Sequence, residues 1–385
     1  MKVPLMLAAG SLALGCAAAP YRPASGDTVV ETVARRVDTP EIRRLQARLA
    51  TAPGDLDAAL LLARRYIALG RSETDPRYFG YAQAALAPWW QRVDAPPRVR
   101  LLRAILLQNG HQFGAALADL QAVTTSEPAN GEAWLTQAIV QSVQGDYAGA
   151  TASCARVTIL ADQLAGFACL AAASVNTNRA AASERLLAAT LDRADGAPSE
   201  LRVWASTLLA EMAARRGDAA IAERRYRAAL ALAPRDSYLL GAYADFLLDM
   251  RRPAEVVALL RDQQRIDALL LRYVLALRAR GGSRVALSSA VAELQARFDA
   301  AAQRGDRVHL RELARFTLHL RDDPAGALVL ARENWAVQKE PADLRILLEA
   351  AQRAGDRATV RAARGWIQRN GTQDVALASL TRGGT

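Results

Sequence analysis

The feature that most constrains this chain is a pair of small residues twelve positions apart that returns at intervals of 33 to 39 residues. Ala104, Ala138, Ala171, Ala210 and Ala244 are each followed, twelve positions on, by Ala116, Ala150, Ser183, Ala222 and Val256. Two antiparallel helices joined by a tight turn approach closely only where both carry small side chains, so each pair marks a crossing point. From about Glu41 onward the apolar residues keep a helical period, and strand-like alternation is lacking. The chain therefore predicts an all-α fold of repeated helix pairs.

Turn signals fall where this reading needs them. QGD (Gln144 to Asp146) and RGD (Arg216 to Asp218) separate the two helices of a pair, with Gly145 and Gly217 suited to a left-handed helix end. Pro128 and Pro234 close second helices. The RGD reads as a turn and not as an adhesion motif.

This pattern resembles the tetratricopeptide repeat (TPR), whose 34-residue unit carries small residues at its eighth and twentieth positions and a proline near its end. By that rule units begin near Pro97, Gly131, Leu164, Val203 and Ser237. Trp134, Gly145 and Ala150 fill family positions in one unit, and Gly217, Ala222, Tyr226, Ala229 and Pro234 in another. Ala63, Tyr66, Gly70 and Ala82 fit a first unit whose turn is lengthened by SETDPR. LLLRYVLALRARGG and the segment after it fit a pair with an overlong second helix. Ala314, Ala327 and Pro341 fit another unit, and Gly355 and Asp356 the turn of a last pair. The resemblance implies about nine helix pairs in a right-handed superhelical solenoid over residues 41–370, followed by a frayed tail over 371–385.

The N-terminus addresses the chain. Lys2 is followed by an apolar run, Val3 to Gly15, too brief to cross a bilayer as a permanent helix. LALGC resembles the bacterial lipobox, which implies a signal peptide over residues 1–15 and lipidation of Cys16. An ordinary signal peptide cut after Ala17 to Ala19 is the competing reading. Ala17, rather than Asp, after the cysteine is similar to the outer-membrane sorting pattern, with the inner membrane left open. Residues 16–40, rich in Pro, Gly, Ser and Thr, read as a lipidated N-terminus and flexible tether. The expected location is the bacterial cell envelope, as an outer-membrane lipoprotein facing the periplasm.

Composition narrows the partners. The chain has 385 residues and a net charge of +10, and its only lysines are Lys2 and Lys339, so the positive charge is almost wholly guanidinium. An exported basic protein meets lipid headgroups, acidic glycans or acidic proteins more readily than nucleic acid, which is not an expected partner. Arginines and carboxylates are mixed along most helices, as expected of solvated helix backs.

Motifs for chemistry are missing. Neither lysine follows a glycine-rich phosphate loop, and GxGxxG, HExxH, GxSxG and CxxC do not occur. His111, His309 and His319 read as surface or packing residues. No catalytic residue, metal site or cofactor is expected. Cys154 lies on the second helix of one unit and Cys169 on the first helix of the next, so they can meet in an oxidising compartment. The preferred reading is two small core residues, given the geometry a disulfide demands.

The resemblance also implies where partners bind, since in that family positions two, five, nine, twelve and thirteen of the first helices line a concave face. Carried over, these select Glu132, Trp204, Thr207, Glu211, Arg215, Tyr238, Asp245 and Asp249 as a partner-binding groove. Neighbouring Leu135, Ile139, Ala168 and Ala172 are apolar, as suits a bound helix or extended peptide. Trp204 and Tyr238 have a purely structural alternative, packing between adjacent pairs. The expected function is a non-enzymatic, lipid-anchored scaffold that holds protein or peptide partners during assembly or export of a surface structure or polymer. The alternative is an accessory protein that binds an acidic polysaccharide or controls an envelope enzyme.

Overall fold

The structure, a computed structural model, describes residue 25 and residues 37–382. Cys16 and most of the tether lie outside the described residues. Within them the chain forms 21 α-helices and no strand.

A lone helix, α1 (Pro40–Thr51), packs on the first pair, α2 (Leu56–Ser72) with α3 (Arg77–Ala85), and a single turn, α4 (Ala87–Trp90), follows. Next come α5 (Pro97–Asn109) with α6 (Phe113–Ser126), α7 (Gly131–Gln144) with α8 (Tyr147–Leu160), and α9 (Gln163–Ser174) with α10 (Ala180–Leu191). The centre holds α11 (Ser199–Arg216) with α12 (Ala219–Leu232) and α13 (Ser237–Asp249) with α14 (Pro253–Leu260). The last pairs are α15 (Asp267–Arg280) with α16 (Arg284–Gln303), α17 (Leu310–His319) with α18 (Pro324–Val337), and α19 (Pro341–Arg353) with α20 (Arg357–Asn370). That makes nine pairs, and the chain ends in α21 (Val375–Arg382). The residues after Asn370, expected to fray, instead form this helix, and Leu377 buries itself in the core of the last pair.

The crossing points are where the spacing put them. Nine of these ten crossing residues, eight alanines and Val256, are at most 1% exposed. Ser183 is the exception and is only half-buried. Its pair turns through Asn176 to Arg179 without a glycine, and α10 buries Leu187 and Leu191 instead. In the QGD and RGD turns Gly145 and Gly217 take φ of 85° and 89°, the left-handed values expected. The following Asp146 and Asp218 then cap the next helix by accepting from the N–H of Gly149 and Ile221. Between pairs, Gly166 lets α9 lie against α8, because a Cβ there would stand 2.6 Å from Thr158 Cα.

First helices pack on first helices along the whole stack, from α2 on α5 to α17 on α19, so they form a continuous inner wall. This is the TPR-like solenoid. The winding brings distant segments together edge to edge. In the α2–α3 turn, Thr74 Oγ1 donates to Ser237 Oγ at 2.9 Å, and Glu73 O accepts from Arg265 Nη2 at 2.6 Å. Beyond the α7–α8 turn, Lys339 N donates to Val143 O at 2.6 Å and Lys339 O accepts from Tyr147 Oη at 3.1 Å. After α9, Asn176 O accepts from Thr372 Oγ1 at 2.8 Å, and at the next turn Gly217 meets Val375. In each case a turn within one pair touches a connection about five pairs further on, so the edges of successive superhelical turns are in contact.

Replacing Ala222 by Leu inserts a branched side chain at a closed crossing point and should cost about 1–3 kcal/mol of stability in thermal or urea unfolding. Ser183→Leu, at the looser crossing, should cost less than half as much. Equal losses would contradict the crossing-point reading.

Candidate functional site on the inner wall

The inner wall is lined mainly by α7, α9, α11, α13, α15, α17 and α19, and the residues selected from the repeat register divide there into three groups. Trp204, Glu211, Arg215 and Tyr238 come together around one cavity. Asp245 and Asp249 lie further along α13, where they are engaged with arginines of later pairs. Glu132 and Thr207 stand apart from both.

Glu132 receives a two-pronged contact from Arg64 at 3.0–3.1 Å, tying α7 back to α2 in an exposed position. Thr207 is 2% exposed, and its hydroxyl donates to Val203 O within its own helix, so it faces the packing between helices rather than the open wall. The α11 helix starts at Ser199, four residues before the repeat register expects.

In the first group, Tyr238 Oη donates to both Glu211 oxygens, at 2.9 and 3.2 Å. Tyr238 is 64% exposed although protein surrounds it, because it projects into the open interior of the superhelix. Burial raises the Glu211 carboxyl above the usual glutamate value, against the opposing pull of Arg215 and the Tyr238 hydrogen bond. The nearby Glu211 charge, aided by burial, holds the Tyr238 hydroxyl well above its ordinary value. Arg215 stands 3.9 Å from Asp374, at the start of α21.

The second group is a ladder of charge across the interior. Asp245 bridges two helices, accepting from Arg272 of α15 at 2.6 Å and from Arg315 of α17 at 2.7 Å. Asp249 takes both prongs of Arg345 of α19 at 2.7 Å, and Arg345 also holds Glu349, which receives His319 at 2.9 Å. Arg311 reaches Glu340 at 2.6 Å and the fully buried Asp343 at 3.4 Å. Burial alone would raise Asp245 and Glu349, yet Arg272 and Arg315 pull the Asp245 carboxyl down to about 2. His319 and Arg345 do the same for Glu349, again to about 2. Asp245 and Glu349 are thus held ionised by the cations around them, whereas burial raises the Asp343 carboxyl to about 6 despite Arg311.

No protein-family model matches the chain, and no curated protein does. Among solved structures the chain is similar to human IFIT1, seen as a dimer with PPP-AAAA, at 12% identity and a TM-score of 0.44 over 87% of this chain and 95% of that one. It is also similar to a tetratricopeptide repeat protein from Parabacteroides merdae, at 12% identity and a TM-score of 0.28 over 80% and 90% of the two chains. At such scores the fold assignment rests on this chain's own helix pairs and inner wall.

Several residues of the site were beyond the repeat register. Tyr147, Asn176 and Lys339 border the cavity from turns and connections, and Arg272, Arg315 and Arg345 reach the α13 acids from later pairs. The one signal for any of them was that Lys339 is the only lysine after Lys2. The cysteines differ from the preferred reading too: Cys154 and Cys169 are joined as a disulfide with a Cα separation of 5.4 Å. Their small-residue packing of α8 on α9 supplies the closeness that a disulfide requires. Among the described residues no cluster of three or more His, Cys, Asp or Glu is placed to hold a metal ion.

Asp245 yields a pH prediction. Its carboxyl falls from an ordinary 3.8 to about 2 on folding, so its contribution is fully present above pH 3.8 and is lost as pH drops toward 2. Asp245→Asn should cost about 2 kcal/mol near neutral pH, by leaving Arg272 and Arg315 without their shared anion. The variant should also show a shallower loss of stability across that acid window in urea titrations. A parallel acid profile would contradict the assignment.

Proposed function

We propose that this chain is a non-enzymatic, lipid-anchored TPR-like scaffold of the bacterial cell envelope, acting in assembly or export of a surface structure or polymer. The observation that carries the reading is the inner wall itself, a continuous face of first helices with the aromatic rings of Trp204 and Tyr238 at its accessible part. Aromatic anchors flanked by charged groups are where interface energy concentrates. Tyr238, Glu211 and Trp204 form the partner-facing patch, while Asp245 and Asp249 hold the wall in shape through their arginines.

The location is part of the same proposal. Cys16 carries the lipid, the tether holds the solenoid off an outer membrane, and the wall faces the periplasm. The Cys154–Cys169 disulfide supports an oxidising compartment. No described helix is long and apolar enough to cross a membrane. Confinement to a membrane sheet raises the effective concentration of whatever the wall holds, which is how such a protein acts without turnover.

A photo-crosslinking residue placed at Tyr238 in cells should trap a discrete envelope protein. The same residue at Val285, 77% exposed and away from the inner wall, should trap none. Cys16→Ser should move the protein from the membrane fraction to the soluble fraction and weaken the Tyr238 adduct. Adducts at Val285 alone would contradict the inner-wall assignment, and unchanged fractionation would contradict the lipid anchor. Retention on an anionic polysaccharide column, lost with added salt, would favour the glycan-binding alternative instead.

A further inference from the structure

The cavity bordered by Trp204 and Arg215 has a volume of about 350 Å³, at the small end of the range for ligand sites. Its walls are mostly apolar, with Ile139 and Val143 from α7, Val175 after α9 and Leu208 beside Trp204 on α11. The Cys154–Cys169 disulfide borders it as well, and the connection Lys339 to Pro341, from the next superhelical turn, closes another side.

Two buried polar atoms of residues bordering this cavity have no hydrogen-bond partner among the described residues: Asn176 Oδ1 and Arg215 Nη1. Asn176 is 1% exposed. Its amide orientation is fixed, because Nδ2 donates to Lys339 O at 3.1 Å and to Tyr147 Oη at 3.0 Å. The atom left over is therefore the carbonyl oxygen, which needs a donor. Arg215 Nη1 is its complement and needs an acceptor. Buried polar atoms left unpaired cost about 1–3 kcal/mol each, so a molecule that satisfies both gains on both.

Charge selects among such molecules. Glu211 borders the same cavity and interacts with the Arg215 charge, and Asp374 stands 3.9 Å from Arg215. The guanidinium thus already faces two carboxyl groups, and an anionic ligand would bring a third. A cation would meet Arg215 and Lys339, whose charges the Glu211 and Glu340 carboxyl groups bordering the cavity already offset. What remains is a neutral group that both accepts and donates.

We propose that this cavity is a binding site for a small neutral carboxamide with an apolar body, its carbonyl accepting from Arg215, its N–H donating to Asn176, and its alkyl or ring portion lying against Ile139, Val143, Leu208 and Trp204. The cavity shares Trp204, Glu211 and Tyr238 with the partner-facing patch, but the probes below test it with no partner present, so its failure leaves protein docking at Tyr238 undecided. Because Lys339 to Pro341 complete it from the neighbouring superhelical turn, an occupied cavity also fastens that contact.

Calorimetry on the full chain with its disulfide intact, using hexanamide, hexanoate and hexylammonium as probes, tests the site on the unaltered protein. The three share one apolar body and differ in charge. Hexanamide should bind saturably, with the two ions weaker by about tenfold or more, a ratio in line with the loss of one hydrogen bond. Arg215→Met and Asn176→Leu should each weaken hexanamide by about tenfold. Should either variant fail to fold, the charge series alone decides. Equal binding of all three probes, a preference for hexanoate, or no saturable binding of hexanamide would overturn the proposal.

Discussion

Close approach of helix backbones is the interaction on which the rest of this structure depends. A solenoid has no single centre to collapse around, so each helix pair must bury its apolar face against its own partner and its immediate neighbours. Alanines at the crossing points let that happen with little side-chain volume between the backbones, and the same device recurs between pairs, where Gly166 meets Thr158. A small residue loses almost no side-chain entropy on burial. The cost is geometric, because a larger residue at a crossing held by alanine must push the helices apart.

Tight packing of first helices on first helices has a second consequence. It curves the stack until, about five pairs on, the edge of one superhelical turn meets the edge of the next. Those meetings are made of backbone carbonyls, hydroxyls and single side chains such as Lys339 and Asn176, not of extended apolar faces. The interior between them is therefore partly enclosed. Carboxylates and guanidinium groups that face it cannot rely on bulk water, and they pair with one another across helices that are far apart in sequence. Asp249 and Arg345 are separated by 96 residues, and their two-pronged contact crosses the inner wall. The chain's positive charge thus has two uses: arginines on helix backs face solvent, and arginines on the inner wall hold acids.

How much of this was legible in the sequence depended on the range of the interaction. Local signals were read correctly where the physics is local. The helices beginning at Pro97, Gly131 and Ser237 start where the repeat register places them, and the QGD and RGD turns carry left-handed glycines followed by aspartate caps. The lengthened first turn at SETDPR and the twenty-residue α16 were legible for the same reason. Errors arose where one unit departs from the register. Helix α11 begins early and buries Thr207 in the packing between helices, and α10 buries leucines where Ser183 was expected to nest. Contacts between superhelical turns were invisible, because no period in the sequence encodes which segment meets another about five pairs away. The disulfide sits between these cases: adjacent helices placed both cysteines near each other, while the separation that decides bonding is set by packing at the scale of a methyl group.

The closure of one superhelical turn onto the next is the central claim, and a distance measurement tests it most directly. Spin labels at the exposed residues Asn178 and Gln373, attached through azide-bearing side chains so that the native cysteines stay untouched, report on one such meeting of edges. Gly371 lies against Asn178, so the account predicts a short, narrow distribution of separations, below about 25 Å once the label arms are included. In an open solenoid with helices spaced about 8–10 Å apart, five intervening pairs would hold the labels roughly 45 Å or more apart. A broad distribution at that distance would contradict the closed winding and, with it, the enclosed inner wall.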